Sequence, residues 1–397
     1  MIQRLTGPNT AAQVPAYHSM AWDIAIRRRL ANVQKASAQP EWLERELPNL
    51  CATAQVCYRR ADWPDLMALR DALWPLLDRR GDWDQALQLN QWALEAAQAI
   101  GDWQNLARWT HDCADLRNQR GEYQAAVEQY TASAAAFGHL GKPELELRSR
   151  HMLAMVLRAQ GRVSEAEALG RSVLADAKAL ALGPWLAHPL YLLGLLARDR
   201  GAFMKANRYV EDSLALVTAT GELAMQAQCQ HFLGELAVLQ GQRGEARAWL
   251  ERSLALSRQL GICRREIATE RLLGDLAQAD GRLVDAATFY RQALDVATRL
   301  GDQPQLGRLF LSQARLASAQ NHLDQAHHWL DSARLIYETI GDQRGFAATL
   351  FFLAALAVRR RHARLAIQLF IHSLRAAESA GLLRPALMFG LLRRQLR

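Results

Sequence analysis

Glycine recurs along this chain at a spacing of 40, at Gly81, Gly121, Gly161, Gly201, Gly241 and Gly281. Asn321 and Arg361 continue the series at the same spacing. Five residues after each of these positions stands alanine: Ala86, Ala126, Ala166, Ala206, Ala246, Ala286, Ala326 and Ala366. A fixed period of this length means repeated modules, each unable to bury its apolar face alone, so that neighbours must stack. The length of 397 residues therefore counts modules rather than independent globular domains.

A second set, Gly101, Gly141, Gly221, Gly261, Gly301, Gly341 and Gly381, falls midway between the first. Only the fourth unit is expected to slip, with Gly183 two residues late and followed by Pro184. Between glycines the apolar residues recur at helical spacing, as at Ala246, Trp249, Leu250 and Leu254 and then Leu273, Leu276 and Ala277. Glycine supplies the left-handed backbone that ends one helix and turns the chain into the next. Each unit is thus predicted to be a helix–turn–helix hairpin, with the alanine where two helices cross closely. The expected architecture is all-α, a solenoid of stacked hairpins with no β-sheet. Its expected parts are a helical cap over residues 1–62, about eight hairpins over residues 63–382, and a capping helix with a basic end over residues 383–397.

Composition narrows the setting. Half the residues are hydrophobic and 22% are charged, enough to bury a core and unlike a disordered chain. Five cysteines without a CxxC pair give neither a disulfide framework nor a zinc ribbon, which fits a reducing cytoplasm. The first 31 residues lack an apolar signal core and run into Arg27, Arg28 and Arg29, so no secretory leader is expected. The longest apolar run, residues 346–358, is 13 long, short of the roughly 20 that span a membrane.

From about Trp63 onward the repeat resembles the tetratricopeptide family. The family's small residue seven before the turn is present as Gly194, Gly234 and Gly274, and as Ala114, Ala154, Ala314 and Ala354. The leucine before it reads Leu153, Leu193, Leu233, Leu273 and Leu353, and the aromatic nine after the turn survives as Tyr130, Tyr290 and Phe370. The period of 40 departs from the family's usual 34, which adds about 9 Å of helix per unit. This long form resembles the C-terminal sensor arrays of STAND ATPases. Residues 42–50, with Trp63, Leu73 and Trp74, resemble the helical region that precedes such arrays. The resemblance implies a right-handed superhelical solenoid that senses or scaffolds in a bacterial regulatory or defence assembly. The ATPase itself is absent from this sequence. Gly141-Lys142 is followed by Pro143 and lacks the upstream glycine and the Ser or Thr of a phosphate-binding loop.

Candidate chemistry is sparse. His322, His327 and His328 cluster, and Cys51 and Cys57 share a predicted helix, but neither set has zinc-ligand spacing. No nucleophile elbow is present, so the chain reads as non-enzymatic and without cofactor or metal. Eleven tryptophans, eight of them before residue 110, read as core and end-capping residues rather than a ligand cage.

In the resembling family the first helix of each hairpin lines a concave groove. Carried over by offset from the turn glycine, the groove residues are Arg108, His111, Asp115, Arg148, His151, Arg158, Tyr191, Arg198, His231, Glu235, Arg271 and Asp275. Together they offer directional hydrogen bonds to a polar or anionic ligand, although any solvated face would also be polar. The last unit offers Phe351, Ala355 and Val358 instead, an apolar floor. Residues 341–397 hold ten arginines against two acidic residues, a net +8 that equals the whole chain's formal charge. Phe351, Arg359, Arg360, Arg361, Arg364, Arg384, Arg393 and Arg394 are therefore the candidates for partner docking at this end. Three expectations follow: a protein or peptide segment or small signal in the groove, nucleic acid on the basic end, or self-association through the last repeats.

Overall fold

The computed structural model describes Ile26, Arg28, Ala31 and residues 40–80 and 83–379. Helix α1 (Pro40–Arg59) is followed by eight hairpins. The first three pair α2 (Trp63–Arg80) with α3 (Trp83–Ile100), α4 (Trp103–Gln119) with α5 (Tyr123–His139), and α6 (Pro143–Ala159) with α7 (Val163–Ala179). The next three pair α8 (Ala187–Asp199) with α9 (Phe203–Thr220), α10 (Leu223–Leu239) with α11 (Arg243–Leu260), and α12 (Cys263–Ala279) with α13 (Leu283–Leu300). The last two pair α14 (Gln303–Ala319) with α15 (Leu323–Thr339) and α16 (Gln343–Arg359) with α17 (Ala363–Ser379). No strand occurs among the described residues, and the fold is a helical solenoid of the tetratricopeptide type. The chain divides into two compact units, residues 1–177 and 178–397.

Most of the described turns are alike because one backbone motif closes them. At Gly281 (φ +77°) the glycine N–H donates to Gln278 O at 3.0 Å and the Arg282 N–H to Ala277 O at 2.8 Å. These two bonds satisfy carbonyls that the helix end would otherwise leave open. Asn321 (φ +62°) and Arg361 (φ +63°) adopt the same left-handed conformation, and Asn321 N–H donates to Ser318 O as His322 N–H does to Ala317 O. The motif therefore persists after the glycine is lost. It also appears one step earlier than the glycine series, at Ala61 (φ +55°).

The fourth unit corrects the expected slip. Ala181, in register with the other turns, takes the left-handed conformation at φ +54°, while Gly183 is right-handed at φ −45°. The extra length is absorbed by a 3-10 turn, Pro184–Leu186, and α8 is correspondingly only 13 residues long.

The alanine series marks the tight crossings. Seven of the eight are at most 1% exposed, and Ala366 is 6% exposed. Opposite them, a β-carbon added at Gly234 would lie 2.6 Å from Leu250 and 3.3 Å from the Ala246 carbonyl. At Gly194 it would lie 2.5 Å from Val210. The small residue seven before the turn is thus what lets the residue nine after it seat between the helices.

Buried serines tie the two helices of some hairpins. Ser133, Ser213, Ser253 and Ser373 each donate to a backbone carbonyl 26 residues earlier, at Ala107, Ala187, Ala227 and Ala347. Where the serine is replaced by Ala93, Val173, Ala293 or Ala333, the earlier position carries Met67, Leu147, Ile267 or Gly307. The hydroxyl thus occurs only where alanine holds the opposite position.

In the first unit the tryptophans are mainly core, as expected. Trp42, Trp63, Trp74, Trp83 and Trp92 pack on the cluster of α1 to α3, and Trp109 is fully buried. Trp103 is the departure, 56% exposed. No described helix is long and apolar enough to cross a membrane.

Candidate functional site

Within each unit the first helices of the hairpins present a face built from the positions thirteen, ten, six and three before each turn. On it Arg108 and Arg148 are exposed, while Asp115, His151, Arg158, Arg198, His231, Glu235, Arg271 and Asp275 are half-buried. His111 and Tyr191 are buried, at 7% each. That corrects the expectation of ligand-facing side chains at these two positions. At both positions the side chain leans toward the next hairpin, which covers it.

His111 shows how. Its Nδ1 lies 2.9 Å from Ser149 Oγ on α6, and Ser149 is itself 3.2 Å from Ser133 Oγ. The ring stands edge-on to Tyr130. Burial, helped by the nearby Arg148 charge, pushes the imidazole down to about 4, so it is neutral at pH 7 and joins hairpins two and three. His231 repeats the arrangement three hairpins later, with Nδ1 2.9 Å from Thr269 Oγ1 on α12. Burial and the charges of Arg265, Arg271 and Arg198 push it down to about 3. Tyr191 packs edge-on against Phe232.

In the first unit several polar side chains pair with one another around Arg70. Arg70 on α2, 2% exposed, donates to Asn90 at 2.6 Å and Asp71 at 2.9 Å, and also to Asp112 on α4. Its guanidinium lies over Trp74 and Trp109. Arg108 donates to the other Asp71 oxygen at 2.5 Å, and Trp109 Nε1 to Asp71 at 3.1 Å. Burial would raise the Asp71 carboxyl, but Arg108 and Arg70 outweigh it and hold the group low. At Asp112 burial wins over Arg70, and the carboxyl is raised. Arg70, Trp109 and Asp112 lie off the offsets used to choose groove residues, so sequence reasoning missed them. The Arg70 column gave no signal, because eleven before the turn Thr110, Arg150, Gln230 and Glu270 are polar as well.

In the second unit the same face carries a row of contacts between successive first helices. Arg198 on α8 donates to Glu235 on α10 at 2.7 Å. Asp275 on α12 accepts from Arg271 at 2.9 Å, from Tyr290 at 2.7 Å and from Arg315 on α14 at 3.4 Å. The Tyr–Asp contact recurs in the first unit between Tyr130 and Asp115. Tyrosine nine after the turn occurs only in these two hairpins, the two with aspartate six before it.

Beyond this row lies a recess of about 270 Å³ lined by Gln278, Arg315, Ser318, Leu330, Phe352, Ala355 and Arg359 among others. Arg359, expected to dock a partner, lines the recess and donates to Ser318 O at 2.6 Å and to Asn321 at 3.3 Å. Arg360 is ion-paired with Asp324 at 2.5 Å. Phe351, expected as docking surface, is 8% exposed, packed against Phe352 and Phe370. Arg361 occupies the left-handed turn, and Arg361 and Arg364 are exposed. Arg384, Arg393 and Arg394, with the expected capping helix over 383–397, lie outside the described residues.

No curated protein matches the chain. Solved structures match it by fold. A Rap conjugation gene regulator of the plasmid pLS20, in complex with the Phr* peptide, has TM-score 0.59 and 15% identity, covering 70% of this chain and 76% of that one. A Rap protein complexed with Competence and Sporulation Factor has TM-score 0.60 and 12% identity, covering 86% and 99%. A STAND protein with a tetratricopeptide repeat sensor from Pyrococcus horikoshii has TM-score 0.54 and 11% identity. That match covers 84% of this chain and 54% of the larger protein. The family model of the MalT-like TPR region matches residues 188–380. With the hairpins, turns and close crossings described above, residues 188–380 are tetratricopeptide repeats similar to the MalT-like TPR region.

Proposed function

We propose that this chain is a non-enzymatic scaffold or sensor that binds a protein or peptide segment across its first helices, within a bacterial regulatory or defence assembly. The observation that carries this reading is the row Arg198–Glu235 and Arg271–Asp275–Arg315 in the second unit. Its members are fixed by their own ion pairs and are half-exposed, so N–H and carboxylate oxygens remain open to a ligand. Rigid helices hold them at a constant pitch, which limits the entropy lost when a ligand binds. An extended segment crossing successive hairpins meets one or two such groups at each. Two of the fold neighbours were solved in complex with the Phr* peptide and with Competence and Sporulation Factor, which supports the same use of the scaffold.

Panning a random peptide library on the purified chain tests this. Enriched peptides are expected to lose about tenfold in affinity on Arg198→Ala or Arg271→Ala, the scale of a hydrogen bond to a charged group. Thermal melts of both variants check that the fold is kept. An exhaustive library that yields no binder, or binders indifferent to both variants, overturns the proposal.

A further inference from the structure

We infer that a cleft between the second helices α15 and α17 binds a small phosphomonoester carrying an aromatic or aliphatic body. Its basic side chains stand on second helices, and its floor lies off the offsets of the face described above. The inference therefore goes beyond the peptide-binding reading and does not depend on it.

The cleft opens where α15, α16 and α17 meet, and it is lined by Arg334, Phe346, Leu350, His372, Arg375 and Ala376. Its volume of about 510 Å³ lies within the range of small-ligand sites, about 300–1,000 Å³. The period of 40 lets the same seam be read in earlier hairpins. One repeat earlier it holds Leu294, Leu306, Phe310 and Leu335 and no charge. Two repeats earlier it holds Glu266, Glu270 and Asp295, and Arg258 donates to Glu266 at 3.1 Å and to Glu270 at 2.5 Å. Between α6 and α7 it holds Arg150, paired with Glu146 at 3.3 Å and Asp176 at 3.0 Å. No earlier seam places more than one basic side chain at these positions, whereas the last places three. The earlier seams are apolar or carry their own counter-charge, and the last one lacks it.

Charge sets the sign of the occupant. Arg334 donates to Glu338 at 3.1 Å and lies 3.7 Å from Asp331, which His327 also approaches at 2.8 Å. Among the described residues no ion pair or hydrogen bond engages the side chain of His372 or Arg375, and both are exposed. No acidic side chain lines the cleft. A phosphomonoester brings about −1.5 to −2 of charge at pH 7 and three strong acceptor oxygens. The Arg375 fork can supply two parallel N–H donors to such a group, and His372 adds one in either tautomer. A carboxylate, with one charge and two oxygens, matches three basic side chains less well. Below them Phe346 is half-buried, and Leu350 and Ala376 are 5% and 8% exposed. That floor removes the ester's apolar body from water and offers it a ring. A nucleic-acid strand would need a track of several phosphate contacts, and the adjacent seam is uncharged.

The test titrates the full chain calorimetrically with phenyl phosphate, inorganic phosphate and benzoate. Phenyl phosphate is expected to bind one to one, and about tenfold or more tighter than either comparator. Its affinity should fall about tenfold or more on Arg375→Ala, the scale of a hydrogen bond to a charged group. Arg375→Asp should abolish binding, because it installs the carboxylate that Asp295 supplies two repeats earlier. Position 375 is exposed, so the melting temperature should hold in both variants. Phe346→Leu should weaken phenyl phosphate more than inorganic phosphate. Arg291→Ala, at an exposed site on α13, should change nothing. Absence of saturable phenyl phosphate binding overturns the inference. An equal loss on Arg291→Ala overturns it too, since the attraction would then belong to an arginine-rich surface at large. Benzoate binding as tightly as phenyl phosphate would make the site a carboxylate seat instead. Steeply salt-dependent binding of an oligothymidylate, tighter than phenyl phosphate and lost on Arg375→Ala, would reassign the cleft to nucleic acid.

Discussion

The first unit and the second share a period and a turn but not an interior. Seven residues before the turn, the first unit has Trp74, Ala114 and Ala154, whereas the second has Gly194, Gly234 and Gly274 before reverting to Ala314 and Ala354. The first unit fills its hairpins with buried Trp109 and the enclosed Arg70. The second seats Val210, Leu250 and Tyr290 against glycine. The turn is a backbone motif, so it must recur at fixed spacing. The interior needs only that facing residues sum to the available volume and satisfy their polar atoms, so it drifts in matched pairs. The family model's match begins at residue 188, within the glycine-rich unit.

Arg70 gives the largest expected difference between the units. Arg70→Ala strands Asp112 and Asn90 in the first unit, while Asp71 keeps Arg108 and Trp109, and breaking such a buried pair costs about 3–5 kcal/mol. Arg271→Ala in the second unit removes a half-exposed partner of Asp275, which keeps Tyr290 and Arg315; about 1 kcal/mol or less is expected. Repeat arrays need not unfold as one body. Hydrogen exchange resolved along the chain is therefore the measurement, with α2 to α4 deprotected only by the first substitution. Equal and uniform loss in both variants would erase the distinction.

Acid should also separate the units, over windows set by their buried histidines. The His111 value is depressed in the folded state to about 4, so between the ordinary value near 6.5 and about 4 the unfolded chain binds the extra proton. Stability from this group is complete above about 6.5 and is lost as pH falls, by at most about 1.4 kcal/mol per pH unit. The corresponding window for His231 runs down to about 3. His111→Gln should flatten the acid dependence of exchange in α4 to α6 and leave that of α10 to α12 unchanged. His231→Gln should do the reverse. Identical profiles in both variants would mean that carboxylates, not these rings, govern the acid response.

Helix spacing offers a finer contrast, because hairpins two and six carry the same tyrosine nine after the turn. Hairpin two accommodates Ala114 in one cluster with Tyr130, whereas a β-carbon at Gly274 would collide with the Tyr290 ring. Gly274→Ala should therefore cost about 1–3 kcal/mol by overpacking, as should Ala246→Leu at a neighbouring crossing. Ala114→Gly should cost about 0.5–1 kcal/mol, the penalty of glycine within a helix. Denaturant midpoints compare the three. A neutral Gly274→Ala would show that the two hairpins are equally open.

Much of the architecture was legible because turns and close crossings admit few residue types. The glycine and alanine series located the hairpins, and Asn321 and Arg361 kept their place although the residue changed. The candidate face was legible only by position. Offsets put Arg198, Glu235, Arg271 and Asp275 on a common face, and the structure sets Arg198 against Glu235 and Arg271 against Asp275. Offsets do not reveal how far a side chain is covered by the next hairpin, and His111 and Tyr191 were misjudged for that reason. The recess beside Arg315 was hidden for another. It arises where Ser318 and Ala355 are smaller than the residues at the same offsets in other hairpins, and a search for conspicuous side chains passes over small ones. The serine-to-carbonyl bonds escaped similarly, since they emerge only when positions 26 apart are read as pairs.

The smallest effect tests where the fourth unit turns. Glycine placement alone puts the turn at Gly183, whereas the structure puts it at Ala181, with φ +54° against −45° at the glycine. An L-residue in the left-handed region costs about 1–2 kcal/mol relative to glycine, so Ala181→Gly should stabilise the chain by about 1 kcal/mol. Gly183→Ala meets nothing within 4 Å and restricts the unfolded chain, so it should be neutral or add about 0.4–1 kcal/mol. If the glycine were the turn, both signs would invert. Ala181→Gly would then only loosen the unfolded state, and Gly183→Ala would force a β-carbon into the left-handed region. Hydrogen exchange of the amides flanking residues 181–187 decides between them. Slower exchange in Ala181→Gly, with Gly183→Ala unchanged or slower, upholds the structure's register, and faster exchange in both restores the register read from glycine alone.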